Sequence, residues 1–166
     1  MLERTKTVRK FTPPSHVPFS HPVHYCNLVA TDNLAGEAAM EVAKKSDQEL
    51  LSLVYGLFNV RDIDGVLSWM SPDVDWPNVM EGIRVHGHEE VRAYWKRQWA
   101  VVDPHVQPIG FETDTENRTV VEVHQEVRDL KGQELLNQRI QHIYTIEDGL
   151  IQRMDIGDVL GPVLSV

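Results

Sequence analysis

The chain has 166 residues, 42% of them hydrophobic and 25% charged, and a formal charge of −9 at pH 7. That composition suits one globular domain with an extension, large enough to bury a core without a disulfide or a structural metal. No basic run interleaves with aromatics as a nucleic-acid surface requires, no apolar run approaches the ~20 residues of a membrane span, and the single cysteine, Cys26, has no cysteine to pair with.

Charge divides the chain. Residues 1–45 carry six Lys/Arg against four acids, a net of +2, which leaves −11 for the rest. Pro13, Pro14, Pro18 and Pro22 exclude a helix or a central strand from residues 11–25. His16, His21 and His24 lie between them without a carboxylate or cysteine framework, so a solvated tail is expected rather than a metal site. Residues 1–45 therefore read as an N-terminal arm. No apolar stretch follows Met1–Lys6 as a secretory signal would require, so the cytoplasm is the expected compartment by elimination.

Ser46-Asp47-Gln48-Glu49 has the form of a capping box, in which serine and glutamate satisfy each other's free backbone N–H groups. Leu50, Leu51, Leu53, Val54, Leu57 and Phe58 follow as the apolar stripe of a first helix. Asp62 is placed to cap a second, shorter helix carrying Ile63, Val66, Leu67 and Met70, which Ser71-Pro72 ends. Residues 73–76 alternate as a short strand, and Pro77-Asn78 turns it into a loop containing Gly82. A third helix starts near Gly87-His88, with Glu89 and Glu90 suited to its positive end. Val91, Tyr94, Trp95, Trp99 and Val102 form its apolar side, and Asp103-Pro104 closes it.

From His105 the period changes to two. Strands are expected over residues 105–113, 119–130, 134–146 and 150–156, with turns at Lys131-Gly132 and at the hairpin pair Asp148-Gly149. The last three would form an antiparallel meander. Helices segregated to one face of such a sheet define an α+β domain, spanning residues 46–157 with a tail from 158 to 166.

The order of elements and four sequence words resemble the nuclear transport factor 2-like superfamily. The words are Asn59-Val-Arg-Asp-Ile-Asp-Gly65, Ser71-Pro-Asp-Val-Asp-Trp-Pro77, Val85-His-Gly-His-Glu-Glu-Val-Arg-Ala-Tyr-Trp95 and Tyr144-Thr-Ile-Glu-Asp-Gly-Leu-Ile151. Within it the chain is similar to the SnoaL-like polyketide cyclase and ketosteroid isomerase branch. The resemblance implies a cone-shaped, cystatin-like fold, with three helices wrapped by a curved antiparallel sheet around a pocket. It implies a small apolar or aromatic ligand, and a homodimer formed through the outer sheet face. Members include both enzymes and binding domains, so fold alone does not name the activity.

Strand alternation then sorts the candidates. On residues 134–146 the apolar side holds Leu136, Ile140, His142, Tyr144 and Ile146, which turns His142 and Tyr144 into the cone. On residues 119–130, Val121, Val123, Gln125 and Val127 face inward. Val74 and Trp76 face inward on the first strand, with Asp75 outward unless a bulge intervenes. The steroid isomerases of the branch use an aspartate base and an oxyanion hole of a tyrosine and a protonated aspartate. Those positions fall at Trp76, Val54 and His142, so none is retained and steroid isomerisation is not expected.

His142 is the leading chemical candidate, because burial favours a neutral imidazole able to polarise a ligand or take its proton. Asp75 and Tyr144 are its expected catalytic companions, and a core histidine bonded to Tyr144, Gln125 or backbone is the structural alternative. Tyr55, Trp76, Trp95 and Trp99 are expected to shape the pocket, with Gln125 beside them, and Asn78 with Arg84 to flank its mouth. His86-Gly87-His88 lacks further metal ligands and is expected to serve helix entry. No cofactor motif is present. Two functions remain open: a cofactor-free isomerase, cyclase, dehydratase or hydrolase, and a non-catalytic binding or dimerisation domain.

Overall fold

A computed structural model describes residue 36 and residues 46–162 of the chain. The arm expected over residues 1–45, with its histidines and Cys26, lies outside the described residues except for Gly36, as do residues 163–166. Three helices are described: α1 over 46–59, α2 at Ile63–Leu67 and α3 at Gly87–Trp99. Six strands follow the order β1 Met70–Asn78, β2 Ile83–His86, β3 Val102–Thr113, β4 Thr119–Asp129, β5 Glu134–Glu147 and β6 Leu150–Pro162. They form one sheet in the order β2-β1-β6-β5-β4-β3.

The expected α+β, cone-shaped nuclear transport factor 2-like fold is present. The meander β4–β5–β6 is antiparallel as expected, and β3 joins its outer edge on β4. The sheet is nonetheless mixed, because β1 runs parallel to β6. The main-chain pairing slips at Pro108/Gly110, at Val127/Arg128 and at three places between β5 and β6. Such bulges bend and twist a sheet, and here they curl it around the helices.

The α1 stripe differs from expectation at one position. Leu51, Val54, Tyr55 and Phe58 turn to the sheet, whereas Leu53 is 46% exposed. At 100° per residue Leu53 lies on the opposite side of the axis from Leu51, and Tyr55 takes its place in the core. Ser46 is itself helical, and Asp47 contacts the Thr119 hydroxyl on β4. Asp62 caps α2 as expected, accepting from the Gly65 N–H at 2.9 Å. Met70 belongs to β1 rather than to α2, since that strand starts early to pair with Ile151.

β2 stands where a loop is expected. It is short, and of its side chains only Val85 is buried, so no run of alternation announces it. Asp103-Pro104 lies inside β3 instead of closing α3, and Val102 starts that strand. Proline is tolerated there because β3 is an edge strand. The last strand runs on to Pro162.

Candidate functional site

Helices and sheet enclose a cavity of about 610 Å³, its opening to solvent included. Val54, Tyr55 and Phe58 reach it from α1, Trp76 and Pro77 from β1, and Tyr94, Trp95 and Gln98 from α3. Gln125 on β4, His142 and Tyr144 on β5, and Met154 and Ile156 on β6 form the opposite wall. No Asp, Glu, Lys or Arg is among the lining residues. The lining suits a small apolar ligand oriented by a few polar groups.

The deep end is built from three side chains on two elements. Tyr144 Oη donates to Tyr55 Oη at 3.0 Å, and Tyr55 Oη stands 3.0 Å from His142 Nδ1. The Tyr55 and His142 rings are stacked, with centroids 6.0 Å apart. All three are buried, His142 at 6% exposure. Alternation on β5 brings His142 and Tyr144 to the same face, and Tyr55 meets them from the sheet-facing side of α1. Burial lowers the His142 pKa to about 4, keeping the imidazole neutral at pH 7. Burial likewise pushes both phenols above their ordinary range, Tyr55 being raised further by Tyr144.

The order of donors along the chain decides which proton His142 offers, since its ring can take either tautomer. With Tyr144 donating to Tyr55, the one Tyr55 proton is left for Nδ1, and the neutral ring carries its own proton on Nε2. Among the described residues Nε2 has no protein partner, so an N–H donor is available at the buried end of the cavity. Reversing the chain would make Nε2 an acceptor and release the Tyr144 proton.

The aromatic wall follows from helical and strand spacing. Trp76 and Trp95 meet edge to face at 5.5 Å, and Phe58 packs against Trp95 at 5.4 Å. Trp99 does not line the cavity. It stacks behind Trp95 at 6.0 Å and carries the Arg61 guanidinium 4.8 Å from its own ring. Asn78 is buried between two lining residues, Pro77 and Val79, but is not one itself. Its Oδ1 accepts from the Glu81 N–H and shapes the β1–β2 turn.

Asp75 is not in the cavity, which corrects its expected partnership with His142. Val74 and Trp76 take the inward positions of β1, so Asp75 lies on the outer face. There Arg84 Nε binds it at 2.5 Å, Arg153 binds its other oxygen, and both arginines also hold Asp155. Arg84 therefore belongs to this network rather than to the pocket mouth, and also donates to Met154 O at 2.8 Å. Arg153 holds the Asp155 carboxyl below the ordinary carboxylate range.

His86 faces Asp75 at 3.5 Å and His88 meets Met70 O at 3.1 Å, so the pair divides between two partners. Among the described residues no three His, Cys, Asp or Glu side chains gather around a common point that would hold a metal ion. Sequence reasoning overlooked Gln98 as a lining residue, although it sits one turn beyond Tyr94 on the α3 face already read as inward, and its amide donates to Tyr94 Oη at 3.1 Å. Met154 and Ile156 were overlooked because strand register with β5, which places them opposite Tyr144 and His142, is not readable from β6 alone.

The sequence matches the family model of the SnoaL-like domain over residues 53–154. No curated protein matches it significantly. Among solved structures, TerC, co-crystallised with polyporic acid, is 30% identical, with a TM-score of 0.59 over 67% of this chain and 89% of its own. A nuclear transport factor 2-like protein from Burkholderia pseudomallei is 24% identical, with a TM-score of 0.59 over 68% of this chain and 89% of its own. RV0760c from Mycobacterium tuberculosis, in complex with estradiol-17beta-hemisuccinate, is 18% identical, with a TM-score of 0.59 over 69% of this chain and 95% of its own. The family match covers well over half of the chain and takes in every cavity-lining residue except Ile156: the chain belongs to the SnoaL-like domain family.

Proposed function

We propose that this chain binds a small, neutral, apolar or aromatic ring compound, with one oxygen of that compound held by His142 at the buried end of the cone. The observation that carries the proposal is the Tyr144–Tyr55–His142 chain ending in an aromatic-walled cavity. Tyr55 accounts for Nδ1, which leaves the Nε2 proton for the ligand. Trp76 and Trp95 supply the flat contact area, a role in which aromatic rings contribute much apolar burial. The estradiol part of the ester found with one of the similar structures is an apolar ring system of the kind that such a cavity suits.

The lowered pKa decides between donor and base. A general base works best with a pKa near the operating pH, and His142 lies about three pH units below neutrality. A neutral imidazole is instead a good fixed donor to an oxygen that gains negative charge. His142 is thus placed to donate to a carbonyl or enol oxygen of the ligand, with Tyr144 and Tyr55 holding the imidazole in place. With no carboxylate in the cavity wall, ligand binding is the function the geometry supports first. A homodimer through the outer sheet face and a cytoplasmic location complete the proposal, supported by the family resemblance and the lone cysteine respectively.

The test is tryptophan-fluorescence titration with two uncharged ring compounds, estradiol and progesterone, against wild type and His142→Phe. Saturable binding that weakens about tenfold in the variant supports the proposal, as expected for loss of one hydrogen bond in an apolar site. Absence of binding by either compound to wild type, together with no retained ligand in native mass spectra, contradicts it.

A further inference from the structure

Asn59, the last helical residue of α1, grips the main chain of β3 with both arms of its amide. Its Nδ2 donates to Val106 O at 2.7 Å, and its Oδ1 accepts from the Val106 N–H at 3.0 Å. The side chain thus does for Val106 what a neighbouring strand would do. β3 is an edge strand, paired through Val106 with Gln125 on β4 and open on its other side. Alternate residues of an antiparallel strand turn both backbone polar groups to the same side. Residues 104, 106 and 108 therefore face the open edge, and Pro104 and Pro108 have no N–H to offer there. Val106 supplies the one backbone donor of that stretch, and Asn59 takes it. Arg61 completes the closure by donating to Pro104 O at 2.9 Å.

The same helix carries Tyr55 four residues before Asn59, so both side chains leave α1 on one face, about 6 Å apart along its axis. Tyr55 reaches His142 on β5 at 3.0 Å, and Asn59 reaches β3. Those two strands lie on either side of β4. Apolar contacts of Leu51, Val54 and Phe58 press the helix onto the sheet, but such attraction is non-directional and tolerates sliding. Hydrogen bonds weaken steeply with misalignment, so they fix position. Two of them, on separate strands, set how far along the sheet α1 sits and which face it turns down.

From this arrangement we infer that Asn59 is a positioning residue for the site. By fastening the last turn of α1 to the open edge of β3, it holds Tyr55 in reach of His142 Nδ1 and so keeps the ring proton on Nε2. It also seats Pro104 and Val106, which line the cavity, against the helix. Asn59 is not itself a lining residue and acts through Tyr55 and Val106. The inference rests on the proposed binding function only for what the positioned imidazole serves.

The experiment compares wild type, Asn59→Ala and Asn59→Asp by proton–nitrogen NMR of the histidine rings between pH 8 and 5, with estradiol titration alongside. Wild type is expected to show one Nε2-protonated His142 throughout. Asn59→Ala is expected to move the Nδ1 resonance and mix the two tautomers at every pH, and to bind estradiol about tenfold more weakly. Asn59→Asp separates positioning from plain loss of structure. Its carboxylate accepts from the Val106 N–H but cannot donate to Val106 O, whereas the protonated carboxyl does both. Arg61 and Asp103, the charged groups on the two fastened segments, are paired with each other. The His142 signals are therefore altered at pH 8 and return to wild-type positions as the carboxyl protonates, which its side-chain carbon shift reports. Signals that match wild type at pH 8 in both variants overturn the inference. So do signals in Asn59→Asp that ignore protonation of the carboxyl, and that titration decides alone if Asn59→Ala does not fold. If wild type binds no estradiol, the binding function fails while the ring spectra still judge Asn59.

Discussion

At the scale of single residues, His142 is the group whose chemistry depends most on its surroundings. Its pKa falls to about 4 through burial, against an ordinary value of 6.5. Between those limits the unfolded chain binds a proton that the folded chain does not, so this residue's contribution to stability is complete above pH 6.5 and is lost as the pH falls toward 4. The gap corresponds to about 3 kcal/mol. Denaturant unfolding at pH 7 and pH 4.5 should show a loss in wild type that exceeds the loss in His142→Gln by about 2 kcal/mol or more. Equal losses in the two proteins would contradict a buried neutral imidazole. The inward placement of His142, Tyr144 and Trp76 was legible because each sits in phase with apolar neighbours on a strand. Asp75 was read as outward by the same rule, and its catalytic role depended on a bulge. The outward reading holds because Trp76 fills the inward place and two arginines hold the carboxylate outside. The Tyr55–His142 hydrogen bond joins residues 87 positions apart, and no local pattern encodes it.

At the scale of elements, the entry into α3 shows how backbone geometry fixes the site. Gly87 has φ +75, and a Cβ there would stand 3.0 Å from Pro72 O. The helix that carries Tyr94, Trp95 and Gln98 thus leaves β2 through a turn that suits glycine for both conformational and steric reasons. Gly87→Ala should lower stability by about 1–3 kcal/mol, read as an earlier urea midpoint with an unchanged slope. An unaltered midpoint would mean the turn relaxes without strain. Helix α2 and the meander strands were readable because capping and alternation are local signals. β2 was not, because its four residues follow β1 across a tight turn and it is held by pairing with that strand, Trp76 against Val85 and Asp75 against His86. Pro104 misled for a related reason: proline normally ends a helix, yet on an edge strand its missing N–H faces no partner.

At the scale of the whole molecule, the parallel pairing of β1 with β6 closes the site. It places Trp76 beside Met154 and Tyr144 across the cavity floor, and the Asp75–Arg84–Arg153–Asp155 network on the outer face ties the same strands together. Fold class and the identity of the deep wall were therefore legible from periodicity and from the family words. Sheet order, the mixed strand directions and the meeting of Tyr55 with His142 were not, because they arise from contacts between elements distant in sequence. The account as a whole claims an apolar cone whose buried end presents the Nε2–H of a neutral histidine. Long-range proton–nitrogen NMR of the histidine rings tests it most directly, recorded from pH 4.5 to 8 with and without estradiol. The predicted result is an Nε2-protonated His142 that stays neutral from pH 8 down to about 5 and whose Nε2 resonance moves on adding the ligand. A His142 ring that titrates near 6.5 and ignores the ligand would contradict the account.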